Sequence, residues 1–135
     1  MRYMLDTNIV SYYLRRTSTA LEERINAELK KSSISISSIA RAELRFGQMG
    51  MQHDDRRRSL IDGFLQRLPS IEFSAEAADC YGQLKHSLKI QGKPIGDMDT
   101  LIASHAMAEK LILVTHNIRH FEAIPSLKIE DWMRQ

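Results

Sequence analysis

The chain has 135 residues, of which 43% are hydrophobic and 27% charged, and its formal net charge is +2. This length allows a sizeable core, and we expect one domain over residues 1–135. No apolar run reaches the roughly 20 residues of a membrane span and no secretory signal is visible, which disfavours membrane and secreted classes. The single cysteine, Cys80, cannot form an intrachain disulfide, which is typical of a reducing compartment and predicts a cytoplasmic protein. The mild positive charge permits a nucleic-acid partner without indicating one.

Hydrophobic residues recur along the whole chain with the periods of strands and helices. We predict strands at residues 3–5, 33–37, 71–73, 111–114 and 127–129. We predict helices at residues 9–14, 17–29, 54–68 and 74–90, and two more that begin at Ser38 and Asp97. Strands that alternate with helices predict a three-layer α/β/α domain with a mostly parallel sheet of four to five strands.

The strand at residues 3–5 is followed directly by Asp6. Its apolar run is typical of a strand buried on both faces, and open α/β sheets bind ligands at the carboxyl ends of such strands. A lone buried carboxylate costs several kcal/mol unless a cation or hydrogen-bond donors compensate its charge. Asp6 therefore either caps the helix that follows or faces a cation.

Glu43 borders the predicted core-facing side of the helix that begins at Ser38. That side is predicted from the spacing of Ile39, Ala42 and Phe46. A carboxylate that leans toward a core needs a partner. A salt bridge to Arg41 or Arg45 is the structural alternative, but residues two positions away point to other faces of a helix.

Two acids, Asp97 and Asp99, open the helix that precedes the strand at residues 111–114. The helix dipole favours an acid at this end, so a purely structural role is available to both. Two residues apart point to nearly opposite sides, so only one can face the edge of the sheet. We predict that Asp97 caps the helix and Asp99 joins a site, with the reverse assignment open. The predicted apolar face consists of Met98, Leu101, Ile102 and Ala106.

Three carboxylates, those of Asp6, Glu43 and Asp99, can therefore converge. Clustered acids raise one another's pKa unless a divalent cation holds them together, and sites made only of oxygen ligands favour Mg²⁺ or Mn²⁺. Such a cation can activate water for attack on a phosphodiester. This interpretation makes Asp6 a ligand and leaves the helix capping to Thr7 and Asn8.

Four segments in order, residues 4–8, 37–44, 95–103 and 113–117, resemble PIN-domain ribonucleases, and more closely the VapC toxins of bacterial type II toxin–antitoxin modules. The resemblance covers essentially the whole chain. It implies a Mg²⁺- or Mn²⁺-dependent endoribonuclease that is inhibited by a VapB-type antitoxin and is usually a homodimer.

By position, the family's metal-holding acids match Asp6, Glu43 and Asp99, with Asp97 as the alternative to Asp99. Its supporting hydroxyls match Thr7 and Thr115. Many members carry a fourth acid where this chain has Asn117. An amide oxygen carries no charge, so a second metal would be held more weakly. Members similar to this chain also carry Asn there and cleave initiator transfer RNA in its anticodon loop, which the resemblance implies as the substrate.

Basic residues near the predicted site are candidate phosphate contacts. They are Arg15, Arg16, Lys93 and Arg119. The run at residues 56–58 is predicted to be a solvated helix face. For His116 and His120 we favour surface or RNA-contact roles over catalysis. The Met-rich stretch at residues 47–51 could form an adaptable groove for an antitoxin helix or pack into the core.

Three other functions remain open from the residues alone. A haloacid-dehalogenase-like phosphatase also uses an acid after its first strand, but it requires a second acid at the position of Asn8. A phospho-receiver domain requires adjacent acids after the first strand and an acceptor aspartate at the end of a central strand, and neither is visible. The third is a non-catalytic binding module whose site is degenerate at Asn117.

Overall fold

The computed structural model describes residues 1–134, which form five strands and seven helices. The last residue of the predicted domain, Gln135, lies outside the described residues. The strands are β1 (Tyr3–Leu5), β2 (Ile34–Ser37), β3 (Ser70–Ile71), β4 (Ile112–Val114) and β5 (Ile129–Glu130). The helices are α1 (Thr7–Leu14), α2 (Thr19–Lys30), α3 (Ser38–Met49), α4 (Arg56–Arg67), α5 (Ala75–Ile90), α6 (Asp97–Ala108) and α7 (Ile118–Phe121).

The strands form one sheet in the order β3-β2-β1-β4-β5, and every neighbouring pair is parallel. The chain runs from β1 through β2 to β3 and then crosses back to β4 on the other side of β1. Because parallel crossovers are right-handed, the helices on the path from β1 to β3 cover one face of the sheet. The helices on the path from β3 to β4 cover the opposite face. The predicted three-layer α/β/α class is confirmed.

The middle of the sheet forms the core. All three residues of β1 are buried, and Leu113 and Val114 of β4 are fully buried. The polar Ser35 of β2 is also fully buried, and its hydroxyl donates to the Tyr3 carbonyl at 3.0 Å. Within the described residues, no helix is both long and apolar enough to cross a membrane.

The predicted elements all exist, but two strand positions were wrong. The third strand ends at Ile71 rather than at residue 73, because the Phe73 N–H donates to the Ser38 hydroxyl at 3.1 Å and leaves the ladder. The last strand is Ile129–Glu130 rather than 127–129, because the Leu127 N–H closes a turn onto the Ile124 carbonyl at 3.2 Å. The short helix α7 was not predicted.

Helix α3 buries a different face from the predicted one. The side chains that it buries are Ala40, Leu44 and Gln48. Phe46 is 83% exposed and Ala42 is exposed, although both were predicted to face the core. Both faces have the i, i+4 spacing, so periodicity could not separate them. Gln48 determines which face of α3 packs against α4, because its side-chain amide donates to the Arg58 carbonyl and to the Asp62 carboxylate of α4, both at 2.8 Å.

Half of the residues that α6 buries are polar, which the apolar pattern did not predict. Its buried residues include Thr100, Ser104 and His105. Of the predicted face, Ile102 and Ala106 are buried, whereas Met98 is 49% exposed. The Ser104 hydroxyl donates to the Thr100 carbonyl at 2.7 Å, so its polar group is satisfied within the helix.

Arg24 of α2 joins that helix to the carboxyl-terminal segment. Its guanidinium lies 4.4 Å from the Trp132 ring centroid and donates to the buried Glu28 carboxylate at 3.0 Å. Burial acts to raise the pKa of Glu28, but hydrogen bonds from Ser33 and Arg24 outweigh it and hold that pKa below its ordinary value. Glu28 is therefore ionised and depends on these partners.

Arg24→Met should lower the free energy of unfolding by about 1–3 kcal/mol, because the buried Glu28 carboxylate loses one of the hydrogen bonds that stabilise its charge. Urea denaturation at neutral pH measures this loss. Adding Glu28→Gln to that variant should recover part of the stability, since it removes the unpaired charge. A loss below about 0.5 kcal/mol in Arg24→Met would contradict the assigned role of the guanidinium.

Candidate active site

Asp6 lies at the carboxyl end of the central strand, where the strand order reverses. Leu5 is level with Ile36 of β2 on one side and with Val114 of β4 on the other. The next residues of the neighbouring strands, Ser37 and Thr115, are therefore beside Asp6 at one edge of the sheet. Ligands of open α/β sheets bind at this switch point.

Asp6 is itself the N-cap of α1. Its Oδ1 atom accepts a hydrogen bond from the Ile9 N–H at 2.8 Å. The prediction that Thr7 and Asn8 take over the capping was wrong, because both already belong to the helix that Asp6 caps. The capping bond engages only one of the two carboxylate oxygens, so capping and a second role for Asp6 are compatible.

The charge of Asp6 is poorly compensated. Its side chain is 5% exposed, and burial raises its pKa to about 6. Hydrogen bonds from Thr115 and Ile9 act in the opposite direction, while the negative charges of Asp99 and Glu43 raise the pKa further. These three carboxylates are therefore near enough to repel one another.

Glu43 is half-buried, and its Oε1 atom accepts a hydrogen bond from the Thr7 hydroxyl at 2.6 Å. The alternative of a salt bridge to a neighbouring arginine does not hold. Arg41 instead donates to the Ser70 hydroxyl, and Arg45 pairs with Asp62 of α4. Glu43 thus faces the end of β1 through Thr7, one of the two hydroxyls predicted to support the acids.

The two acids at the start of α6 have different surroundings. The N-cap of this helix is Gly96, with no side-chain capping bond, so the prediction that Asp97 caps it was wrong. Asp97 is the first helical residue, and its carboxylate pairs with Lys85 of α5 at 3.2 Å. This ion pair holds Asp97 toward α5, whereas Asp99 influences the pKa of Asp6.

Asp99 has a neighbour that the sequence did not reveal. The Nδ1 atom of His120, on α7, lies 2.8 Å from its Oδ2 atom. The two groups are close, but they are not aligned as a hydrogen bond. It places α7 directly beside the acidic group.

A buried histidine positions α6 against the start of α3. The Nδ1 atom of His105 lies 2.8 Å from the Ser37 hydroxyl, which also accepts from the Ile39 N–H at 3.0 Å. Burial lowers the pKa of His105, so its ring is neutral and can accept the Ser37 proton. This contact joins the helix that carries Asp99 to the one that carries Glu43.

Thr115 and Asn117 follow β4. The Thr115 hydroxyl is fully buried and contacts Asp6, and it also accepts from the Asn117 N–H at 3.0 Å. Asn117 is exposed and makes no side-chain capping bond to α7. Its amide lines an open cavity of about 260 Å³ with Asp6, Asn8, Tyr12 and His116.

The donor set at this edge of the sheet fits a hard divalent cation. Asp6, Glu43 and Asp99 offer the carboxylate oxygens that Mg²⁺ and Mn²⁺ prefer. Asp6 forms no ion pair with a cationic side chain of residues 1–134. In the described arrangement no three acidic, His or Cys side chains converge as one chelating group. The contacts of Glu43 with Thr7 and of Asp99 with His120 compete with a cation for these two carboxylates.

The candidate phosphate contacts lie in separate places around the site. Arg15 is exposed beside α1, whereas Lys93 and Arg119 line a cavity of about 360 Å³ together with His120. Within the described part of the chain, these three cations form no ion pair. Arg16 differs, because it pairs with Glu22 at 3.0 Å.

The basic run at residues 56–58 is only partly the solvated face that was predicted. Arg56 and Arg57 are exposed, and Arg57 pairs with Asp55 at 2.7 Å. Arg58 donates to the carbonyls of Gln48 and Met51 at 3.1 Å, so it closes the end of α3 instead.

The Met-rich stretch divides between surface and core. Met49 is 64% exposed, while Met51 is half-buried and packs against the core. Met49 lies one turn from the exposed Phe46, so α3 presents an apolar surface formed by Ala42, Phe46 and Met49. An exposed patch of this kind is typical of a contact with another protein.

Comparison with known proteins gives a consistent result. The PIN domain family matches residues 3–127. The chain is 42% identical over 132 residues to Ribonuclease VapC2 of Rickettsia felis, with 98% of each chain covered. It is 37% identical over 132 residues to the tRNA(fMet)-specific endonuclease VapC of Shigella flexneri, again with 98% of each covered.

Solved structures agree with these sequence matches. A VapBC2 crystal structure from Rickettsia felis, bound to a promoter DNA fragment, contains a chain with a TM-score of 0.89 and 42% identity. The match covers 98% of this chain and 99% of that one. A DNA-bound VapBC structure from Salmonella typhimurium gives a TM-score of 0.90 at 36% identity and covers 98% of both chains.

Asp6→Asn should stabilise the protein when divalent cations are removed with EDTA. The native pKa of about 6 exceeds the ordinary value of 3.8, so the folded state holds the proton more tightly. Stability is then lost as pH rises between these values, by at most about 3 kcal/mol. Urea denaturation should show the variant to be more stable at pH 7.5, with the difference vanishing below pH 4.

The matched control for this measurement is Asp97→Asn, which removes an exposed acid from the same end of the sheet. It should change stability by only about 0.5 kcal/mol, as an exposed ion pair contributes little. An Asp6→Asn protein that is no more stable than the wild type at pH 7.5 would show that the charge of Asp6 is already compensated.

Proposed function

Because this chain belongs to the PIN-domain family, and its full-length relatives include VapC ribonucleases, we propose that it is the toxin of a type II toxin–antitoxin module and acts as an endoribonuclease. The observation that carries the proposal is Asp6, a buried and only partly compensated carboxylate at the switch point of the sheet, with two further acids beside it. Such a group is costly to keep unless it serves a ligand.

We propose that Asp6, Asp99 and Glu43 hold Mg²⁺ or Mn²⁺, with Asn117 in a secondary position. Such an ion would supply a nucleophilic water at neutral pH and neutralise charge that develops on a phosphodiester. The residues around the ion have specific roles. Thr7 and Thr115 orient the carboxylates of Glu43 and Asp6 through their hydroxyls. The single amide at Asn117 adds an oxygen without charge, which favours one tightly held ion over two.

The cations near the site support an RNA substrate. Arg15 lies over Tyr12, which lines the cavity beside Asp6, and Lys93 and Arg119 line another cavity with His120, the neighbour of Asp99. The charge of a phosphodiester backbone near the acids would be met by these side chains, which have no acidic partner in the described residues. Phosphate contacts of this kind position the strand without reading its sequence.

For the substrate we propose transfer RNA, specifically the anticodon loop of the initiator. The name of the Shigella flexneri relative, a tRNA(fMet)-specific endonuclease, supports this choice. The unpaired bases of such a loop are accessible to an open site at a sheet edge, whereas a duplex is not. We place the activity in the cytoplasm, where transfer RNA is found.

The proposed partner is a VapB-type antitoxin, and the proposed assembly is a homodimer that binds it. The VapBC complexes among the structural relatives support this partner. The apolar surface of α3, with Phe46 83% and Met49 64% exposed, is available for a contact with another chain. Its soft Met side chain can adapt to a helix.

Asp6→Ala and Asp99→Asn should each lower metal-dependent RNA cleavage by at least about a hundredfold, because each removes a charged ligand of the ion. The assay incubates purified protein with total RNA in Mg²⁺ or EDTA and maps the cut ends. Asp97→Asn, whose carboxylate pairs with Lys85, should keep near-wild-type activity. Equal cleavage in EDTA would refute the metal site, and an inactive wild type would favour a degenerate binding module.

Expression of the wild-type chain without an antitoxin should arrest bacterial growth, whereas Asp99→Asn expression should not. Growth curves after induction, at equal protein levels on immunoblots, provide the measurement. If Asp97→Asn abolishes the arrest and Asp99→Asn does not, the two acids have been assigned in the wrong order.

A further inference from the structure

The open cavity beside Asp6 has walls suited to an unpaired base. We propose that this cavity, lined by Tyr12, His116, Asn8 and Asn117, is a nucleobase subsite that seats one base of the RNA next to the scissile phosphodiester. The proposal rests on the proposed ribonuclease function and adds to it a specific set of substrate contacts. Its volume of about 260 Å³ is near the lower end of ligand pockets, which suits one planar ring system.

Two rings form a corner of the cavity. The Tyr12 and His116 rings have centroids 6.0 Å apart and planes at 89°. A flat base that lies parallel to one ring therefore turns its edge toward the face of the other ring, and this edge-to-face contact is favourable for aromatic systems. Stacking of splayed bases on Tyr and His side chains is the usual way in which proteins hold unpaired RNA.

His116 is oriented by a buried acid. Its Nδ1 atom lies 3.0 Å from the Oδ2 atom of Asp131, whose side chain is only 5% exposed, whereas that of His116 is 46% exposed. Asp131 also accepts from the Met133 N–H through its other oxygen, so it is fixed by the backbone. Asp131 is thus a positioning residue that fixes an accessible imidazole at the edge of the cavity.

The remaining walls carry hydrogen-bonding groups without charge. Asn8 and Asn117 are both exposed, and each presents an amide that can donate and accept. Amides of this type can read the edge of a base, which has donors and acceptors of its own. Apart from Asp6, none of the described residues that line the cavity is an acid that would repel a polynucleotide.

Arg15 lies next to the subsite, against Tyr12. Its guanidinium lies over the Tyr12 ring, 5.3 Å from the centroid, and its Nε atom reaches the Ser11 carbonyl at 3.4 Å. No carboxylate in residues 1–134 pairs with it. A cation held over one face of Tyr12 can contact the phosphate of the seated nucleotide while the rings hold its base.

The experiment measures binding without cleavage. A fluorescein-labelled, unstructured single-stranded RNA is titrated with protein in EDTA, and anisotropy gives the Kd. Tyr12→Ala should weaken binding about tenfold, as expected for one lost base stack, and Tyr12→Phe should restore it to within about threefold of wild type. Tyr81→Ala, on α5 away from the cavity, is the matched control and should leave the Kd unchanged.

A series of the same RNA, with one abasic nucleotide at each position in turn, separates base stacking from other effects. The tenfold effect of Tyr12→Ala should disappear for the RNA that lacks the seated base and persist for the others. His116→Ala should show the same pattern, and it keeps the test valid if Tyr12→Ala fails to fold by circular dichroism. Equal weakening on every abasic RNA would overturn the proposal, because the rings would then act only through the fold.

Two further outcomes decide between the subsite and its alternatives. If Tyr12→Ala weakens a complex with the antitoxin but not with RNA, the cavity belongs to the protein partner and the proposal fails. If the wild type cleaves RNA and Tyr12→Ala leaves kcat/KM unchanged, the subsite fails while the ribonuclease function stands. If base-dependent binding holds but no cleavage occurs in Mg²⁺, the subsite stands and the ribonuclease function fails.

Discussion

The arrangement of the candidate site depends on the burial of one carboxylate, that of Asp6. Asp6 caps α1 with one oxygen and contacts Thr115 across the sheet, so it cannot move without releasing both the helix and the end of β4. At the same time burial and two neighbouring acids raise its pKa. The fold thus holds in a fixed place a charge that the Ile9 and Thr115 hydrogen bonds compensate only in part. Ionisation of Asp6 therefore lowers the stability of the folded state as the pH rises.

The architecture could be predicted from the sequence because short apolar runs of parallel strands are easy to recognise. The runs before Asp6 and Thr115 located β1 and β4, and their parallel pairing brought both polar ends together. Helix faces were less predictable. On α3 the face that was predicted to be buried has the same residue spacing as the face that is buried. Glu43 was therefore selected as a candidate on the basis of an incorrect core-facing side. Its nearness to Asp6 depends on Thr7, a contact between distant parts of the chain that no local pattern indicates.

The sequence could not predict the parts of the site that depend on contacts between residues on different elements of the fold. Asp97 was expected to cap, but Lys85 from α5 lies close enough to pair with it. The role of His116 depends on Asp131, and that of His120 on the unpredicted helix α7. The sequence did indicate a role for His116, because this residue lies in the polar segment after β4 with Thr115 and Asn117. The sequence could not show that the buried Asp131 carboxylate fixes the His116 ring.

The pairing of β1 with β4 has a consequence for the order in which the chain acquires its chemistry. Leu5 and Val114 are neighbours in the sheet but lie near opposite ends of the sequence. Contacts of such long range form late, and a chain still being synthesised cannot make them. Asp6 therefore has no Thr115, Asn117 or α7 beside it until nearly all of the protein has left the ribosome. Asp6 and Asp99 therefore acquire their full set of neighbours only after the segment that contains α7 has been synthesised.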